Sequence, residues 1–298
     1  FKSTLGSSTS FTFTSTGDLN NGISYLVKFT LEDGDQSYRV ITFDLGSGLK
    51  LGIGYDQAYG IETVKAISPY VNNRRAHITG AHRGFPTAAR KPLGPDVWDT
   101  SSLENAIGLS FKNDLAAISF GFTPVRDVNT STDAIATSSA TSSEYGTASS
   151  IGVKLTPVDG LTIGFGTSSE ESDATANSDP KGTTIGFQYK IGSFAIGYQE
   201  IENELDDTTT QRVTTTEIQE GGVAYKVNDA LTIGVFAANI NYLTVNTDNG
   251  VETGMGIVQV GYNLGPAVIQ YDYADGSDLN STKDTEYEIH KVKIKLLF

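Results

Sequence analysis

At 298 residues, with a formal net charge of −14 and no cysteine, the chain can form no disulfide or thiolate metal site and carries the wrong sign for general nucleic-acid binding. Its hydrophobic fraction of 38% is low, yet 14 Tyr and 14 Phe are too many for a disordered polymer. Nothing in it approaches the ~18-residue apolar run of a transmembrane helix, and 32 glycines beside many Ser, Thr and Asn point to a β structure with one apolar and one wet face.

The first strand is expected over 8–16, where Phe11 and Phe13 alternate with Ser and Thr. Asn21-Gly22 then makes a strong hairpin signal. In the partner strand Tyr25, Val27 and Phe29 share one face, and Ser24, Lys28 and Thr30 the other. Residues 36–44 and 49–55 form a second pair about a Gly-Ser-Gly turn. Over 56–101 the alternation stops, in a connection far longer than the usual 4–6 residues. This stretch holds Lys65, Arg74, Arg75, Arg83, Arg90 and Lys91, six of the 21 basic residues of an acidic protein.

Alternation then resumes in strands over 103–112, 115–125, 147–156, 160–168, 182–191, 193–201, 215–226, 230–241, 253–264, 266–274 and 286–298. Tight turns such as Asn113-Asp114 and Asn228-Asp229 alternate with polar loops at 126–146, 169–180, 202–214, 242–252 and 275–285. Strands of about 9–12 residues suit a tilted crossing of a bilayer, against about 5–6 in globular sheets. Short turns at one end and long loops at the other are the habit of outer-membrane barrels. At 161/163/165, 185/187/189, 194/196/198 and 231/233/235 one face is apolar, and the facing set is small and polar rather than charged, as a water-filled lumen requires. The expectation is an all-β fold, a transmembrane antiparallel β-barrel forming a single domain over 1–298. The pattern shows fifteen strands; single-chain bacterial barrels have an even number, so a sixteenth is expected upstream of Phe1.

The chain ends in a strand with Val292, Ile294, Leu296 and Phe298 on one face and Lys291, Lys293 and Lys295 on the other. A terminal Phe closing such a strand is similar to the assembly signal of Gram-negative porins. With the segments Phe13-Thr-Ser-Thr-Gly-Asp-Leu-Asn-Asn-Gly-Ile23 and Ile41-Thr-Phe-Asp-Leu-Gly-Ser-Gly-Leu-Lys-Leu-Gly-Ile-Gly54, it makes the whole chain resemble a general outer-membrane porin of alphaproteobacterial type. The resemblance implies a homotrimer of sixteen-stranded barrels in the bacterial outer membrane, among lipid and lipopolysaccharide, each a passive pore for ions and small hydrophilic solutes. It also implies that 56–101 is the constriction loop, folded into the lumen.

A basic constriction favours anions. Arg74, Arg75, Arg83, Arg90, Lys91 and Lys65 are then the loop's pore-lining candidates, with Lys28, Lys50, Lys154 and Lys190 adding charge from the wall. The acidic runs about Glu200–Asp207 and Asp272–Asp278 raise the question of structural Ca²⁺, with Asp275 and Asp278 as weak ligand candidates; their spacing matches no EF-hand, and solvated acidic loops explain them. His77 and His82 could titrate in a pore. No metalloprotease pair, nucleophile elbow or phosphate loop is present, so neither an enzyme nor a cofactor is expected. The alternatives are a substrate-selective outer-membrane channel and a surface or adhesin-type β protein.

Overall fold

The computed structural model describes residues 10–32, 35–55, 59–64, 67, 106–124, 145–172, 181–207, 212–244, 252–277 and 286–296. Every alternating segment becomes a strand: β1 Ser10–Asp18, β2 Ser24–Glu32, β3 Asp35–Gly46, β4 Leu49–Tyr55, β5 Ala106–Lys112, β6 Ala116–Thr123, β7 Tyr145–Leu155 and β8 Leu161–Ser172. The order continues with β9 Lys181–Ile191, β10 Phe194–Asp207, β11 Arg212–Lys226, β12 Leu231–Thr244, β13 Glu252–Asn263, β14 Ala267–Ser277 and β15 Glu286–Leu296. The fifteen strands pair only with their sequence neighbours, all antiparallel, in one up-and-down sheet, the wall of a membrane-spanning β-barrel. Between β4 and β5 the described residues include a 3-10 turn, Gly60–Val64.

The tight turns are built by side chains. Asn113 Oδ1 accepts from the amides of Leu115 and Ala116 (2.9 and 2.8 Å), and Asn228 Oδ1 does the same for Ala230 and Leu231 (both 2.9 Å). Asp44 and Asn263 bond the amides of Gly46 and Gly265, both glycines at positive φ. An Asx side chain that mimics a backbone turn leaves the strands no slack. Each of these turns also leaves an aliphatic side chain exposed, Leu45, Leu115, Val227 and Leu264, and Val158 is exposed between β7 and β8.

Above the turns the outer face is apolar. Phe120, Phe165, Ile185, Ile196 and Val235 are 45–59% exposed, which identifies the face that lipid covers. Phe194 and Tyr225 stack at 4.6 Å near the turn end, part of an aromatic girdle. On β10 to β13 the apolar face changes side. Ile196, Val223, Val235 and Val258 point outward, whereas farther from the turns Ile201, Ile218, Ile240 and Ile257 point inward and are no more than 2% exposed. Phe236 joins this inner cluster, seated where Gly222 on the neighbouring strand leaves space for its ring. The small and polar inner face expected opposite 161/163/165, 185/187/189, 194/196/198 and 231/233/235 thus holds near the turns, and farther up the inner face is mixed, with Asn203, Thr216, Glu220 and Gln259 buried beside these isoleucines.

Strand limits differ in the same region. β10 and β11 stay paired out to Asp207↔Arg212, so Glu200, Glu202 and Glu204, expected in or beside a loop, stand on the outer face of a strand. Among the described residues no pairing joins β1 to β15, and the sixteenth strand expected upstream of Phe1 lies outside the sequence.

The two faces make a direct prediction. Ile185→Arg places a cation in the lipid-facing band and should cost about 2–4 kcal/mol, whereas Thr162→Arg, on the inner wall close to a turn, should stay within about 0.5 kcal/mol. Denaturant unfolding in lipid vesicles measures both; equal costs would mean the faces are assigned the wrong way round.

Candidate functional site

The inner wall of β4, β5, β7 and β8 is a track of glycines, and the chain that follows β4 lies on it. Gly52 and Gly108 are direct cross-strand partners, and the ring of Tyr59 covers both. A Cβ on either glycine would overlap that ring. Next, the Gly60 amide donates to Ser119 Oγ at 2.8 Å, and the Gly60 carbonyl sits over Gly152. Ile61 and Val64 then press on Gly166, and Ile67 on Gly164, with all three side chains at 5% exposure or less. Gly60 itself adopts φ 64°, a conformation that side-chain-bearing residues rarely hold.

Gln199 on β10 locks the far end of this segment. Its Oε1 accepts from the Ile67 amide (3.1 Å), and its Nε2 donates to the Val64 carbonyl (3.2 Å) and to Thr184 Oγ1 (2.8 Å). Thr184 passes its own proton to the Glu200 carbonyl at 2.9 Å. A fully buried amide with its groups so engaged fixes the segment against the wall. Residues 59–64 and 67 therefore lie against the inner wall, from β4 across to β10. Burial pushes the Tyr59 phenol above its ordinary pKa, and its hydrogen bond with Thr42 acts more weakly in the opposite sense. At the rim, Lys226 holds the Asp229 carboxyl below its usual range through a 2.8 Å ion pair.

Of the residues expected in the site, Lys28 stands on the inner wall of β2, opposite Thr14 and Val40. Lys50 is also inward, opposite Asp44 and Ser110, two residues past the β3–β4 turn. Lys65, Arg74, Arg75, Arg83, Arg90 and Lys91 lie outside the described residues, as do His77, His82, Asp278 and Phe298. Asp275 faces outward on β14, across from Glu288. Among the described residues no group of three or more His, Asp or Glu could hold a metal ion. Sequence reasoning did not single out Tyr59, Ser119 or Gln199. Ser119 and Gln199 share the parity of the inward glycines, a signal available to a count that extends each strand's small-residue face.

Comparison with known proteins agrees with this architecture. A family model described as Gram-negative porin matches residues 2–281. The fold is shared with the anion-selective porin of Comamonas acidovorans, at 12% identity and a TM-score of 0.62, over 96% of this chain and 87% of that one. It is shared with Salmonella typhi OmpF in complex with daunomycin, at 12% identity and a TM-score of 0.64, over 97% and 90% of the two chains. The trimer form of Vibrio cholerae OmpT aligns at 14% identity and a TM-score of 0.62, over 96% and 88%. No curated protein matches by sequence.

Two measurements test the docking of residues 59–64 and 67. Gln199→Ala removes the partners of three buried polar groups and should destabilise the protein by about 1–3 kcal/mol in denaturant unfolding; an unchanged midpoint would mean the segment is held elsewhere. Because the folded-state pKa of Tyr59 is raised, the stability it confers is complete below pH ~10 and is lost as pH rises through the raised value. The tyrosinate absorbance of wild type minus Tyr59→Phe should therefore titrate above the ordinary phenol range.

Proposed function

The chain belongs to the Gram-negative porins, outer-membrane channels for passive diffusion, and from that premise we propose that it forms a mildly anion-selective pore for ions and small hydrophilic solutes. One observation carries the channel reading: the outer face is apolar where lipid lies, while the inner face near the turns is glycine-rich and polar and receives residues 59–64 and 67 of its own chain. Lipid and water are thus on opposite sides of one wall.

The selectivity follows from charge. Arg74, Arg75, Arg83, Arg90 and Lys91, with Lys65, belong to the same β4–β5 connection whose described residues enter the lumen. Guanidinium and ammonium groups at a narrowing attract anions and repel cations. Lys28 and Lys50 add positive charge from the wall. The shared fold of an anion-selective porin is compatible with this sign. The working unit in this reading is a homotrimer embedded in outer-membrane lipid and lipopolysaccharide, as the trimer form of a structural relative suggests. Permeation needs neither a catalytic group nor a cofactor, and none is assigned; Asp275 beside Glu288 is read as a polar outer surface, not a Ca²⁺ site.

Reversal potentials across a KCl gradient test the selectivity. The wild type should prefer chloride, and a variant carrying Arg74→Gln, Arg75→Gln, Arg83→Gln and Arg90→Gln should move toward cations. A clear potassium preference in the wild type would sink the anion reading.

A further inference from the structure

We infer that the turn end of the lumen is ringed by a lysine collar, which makes conduction depend on the direction of the field. The inference rests on the channel reading and adds a second charged zone, apart from the constriction. β5, β7, β9 and β11 each carry an inward lysine in the last or next-to-last position before a short turn: Lys112, Lys154, Lys190 and Lys226. Lys50 stands at the equivalent level, just past the β3–β4 turn.

Parity places these side chains on the inner wall. Lys112 shares its face with Gly108, which lies under Tyr59, and Lys154 shares its face with Gly152, which lies under Gly60. Lys190 follows the face of Thr184, the partner of Gln199, and Lys226 that of the buried Ala224. Lys50 faces Asp44 across the hairpin, Lys226 pairs with Asp229, and Lys190 lines one pocket with the turn acids Asp114 and Asp159. Across the strands Lys112, Lys154 and Lys190 have uncharged neighbours. Ala117 lies between Lys112 and Lys154, Gly164 is on the far side of Lys154, and Ala195 faces Lys190. Farther from the turns the inner wall of β11 and β14 carries Glu220 and Asp272 instead.

Lys112 and Lys154, on either side of Ala117, stand about 9–10 Å apart, close to the screening length of ~10 Å at 0.1 M salt, whereas Lys190 is four register positions off Lys154 and about 17 Å from it. The fields of Lys112 and Lys154 therefore merge at 0.1 M, Lys190 joins them only at lower salt, and all separate near 1 M. Fixed charge concentrated at one mouth accumulates anions there, so current is larger when the field drives anions in through the collar than when it drives them out.

Single channels of the purified full chain in planar bilayers decide this. In 0.1 M KCl the two polarities should differ in current by about twofold, falling toward equality at 1 M as screening shortens. A K112Q/K154Q/K190Q triple variant should conduct symmetrically at 0.1 M and shift its reversal potential toward cations; its conductance steps themselves report that it has folded. Symmetric wild-type currents at 0.1 M, or a conducting triple variant with the wild-type ratio, would overturn the collar. A wild type giving no channels at all would remove the channel reading of the preceding subsection, a different failure from symmetric conduction.

Discussion

Hydrocarbon offers no partner to a backbone amide, so a chain crossing it in strands must pair every one of them. The register of β1 to β15, neighbour to neighbour, follows from that constraint. Once the strands are paired into one sheet, side chains have only two directions to choose from. Lipid on one side and water on the other then sort Phe165 from Gly164 and Ile185 from Thr184. The same pairing makes the wall stiff enough to be a docking surface. The Tyr59 ring can rest on Gly52 and Gly108 because the ladder holds those two glycines directly opposite each other.

Glycine on the inner wall does more than leave room for water. Where Cβ atoms are missing from β4, β5, β7 and β8, residues 59–64 and 67 reach the wall closely enough for Ser119 and Gln199 to bond their backbone. A glycine-poor wall would hold the same segment at side-chain distance, and its peptide groups would turn to water instead. The docking of this segment is thus written in residues that have no side chain at all.

Period-two alternation with long and short connections was sufficient to recover all fifteen strands and the barrel, because in a wall exposed to two solvents each residue's parity is tied to its chemistry. It failed where that tie loosens. Glu200 to Glu204 looked like loop because acids rarely sit in strands, yet above the lipid nothing penalises a charged outer face. Phe236 and Ile240 broke parity for another reason: each is packed in a buried inner cluster, Phe236 against the space left by Gly222. Gln199 was invisible for another cause. Its importance lies in bonds to Val64 and Ile67, more than 130 positions earlier in the chain, and no local pattern carries that information.

The exposed aliphatic side chains of the short turns bear on where the barrel sits along the membrane normal. On β10 the apolar outer face runs only from Phe194 through Ile196 to Tyr198 before Glu200 begins. At about 3.4 Å per residue and a tilt near 40°, that covers little of a ~25 Å apolar band. Leu45, Val227 and Leu264, exposed at the turns on the parity of the outer face, lengthen the band downward to the turns themselves. A belt this short matches a thin bilayer and is mismatched to a thick one. The protein therefore carries in its turns a measure of membrane thickness, which ties it to the outer membrane by dimension as well as by chemistry.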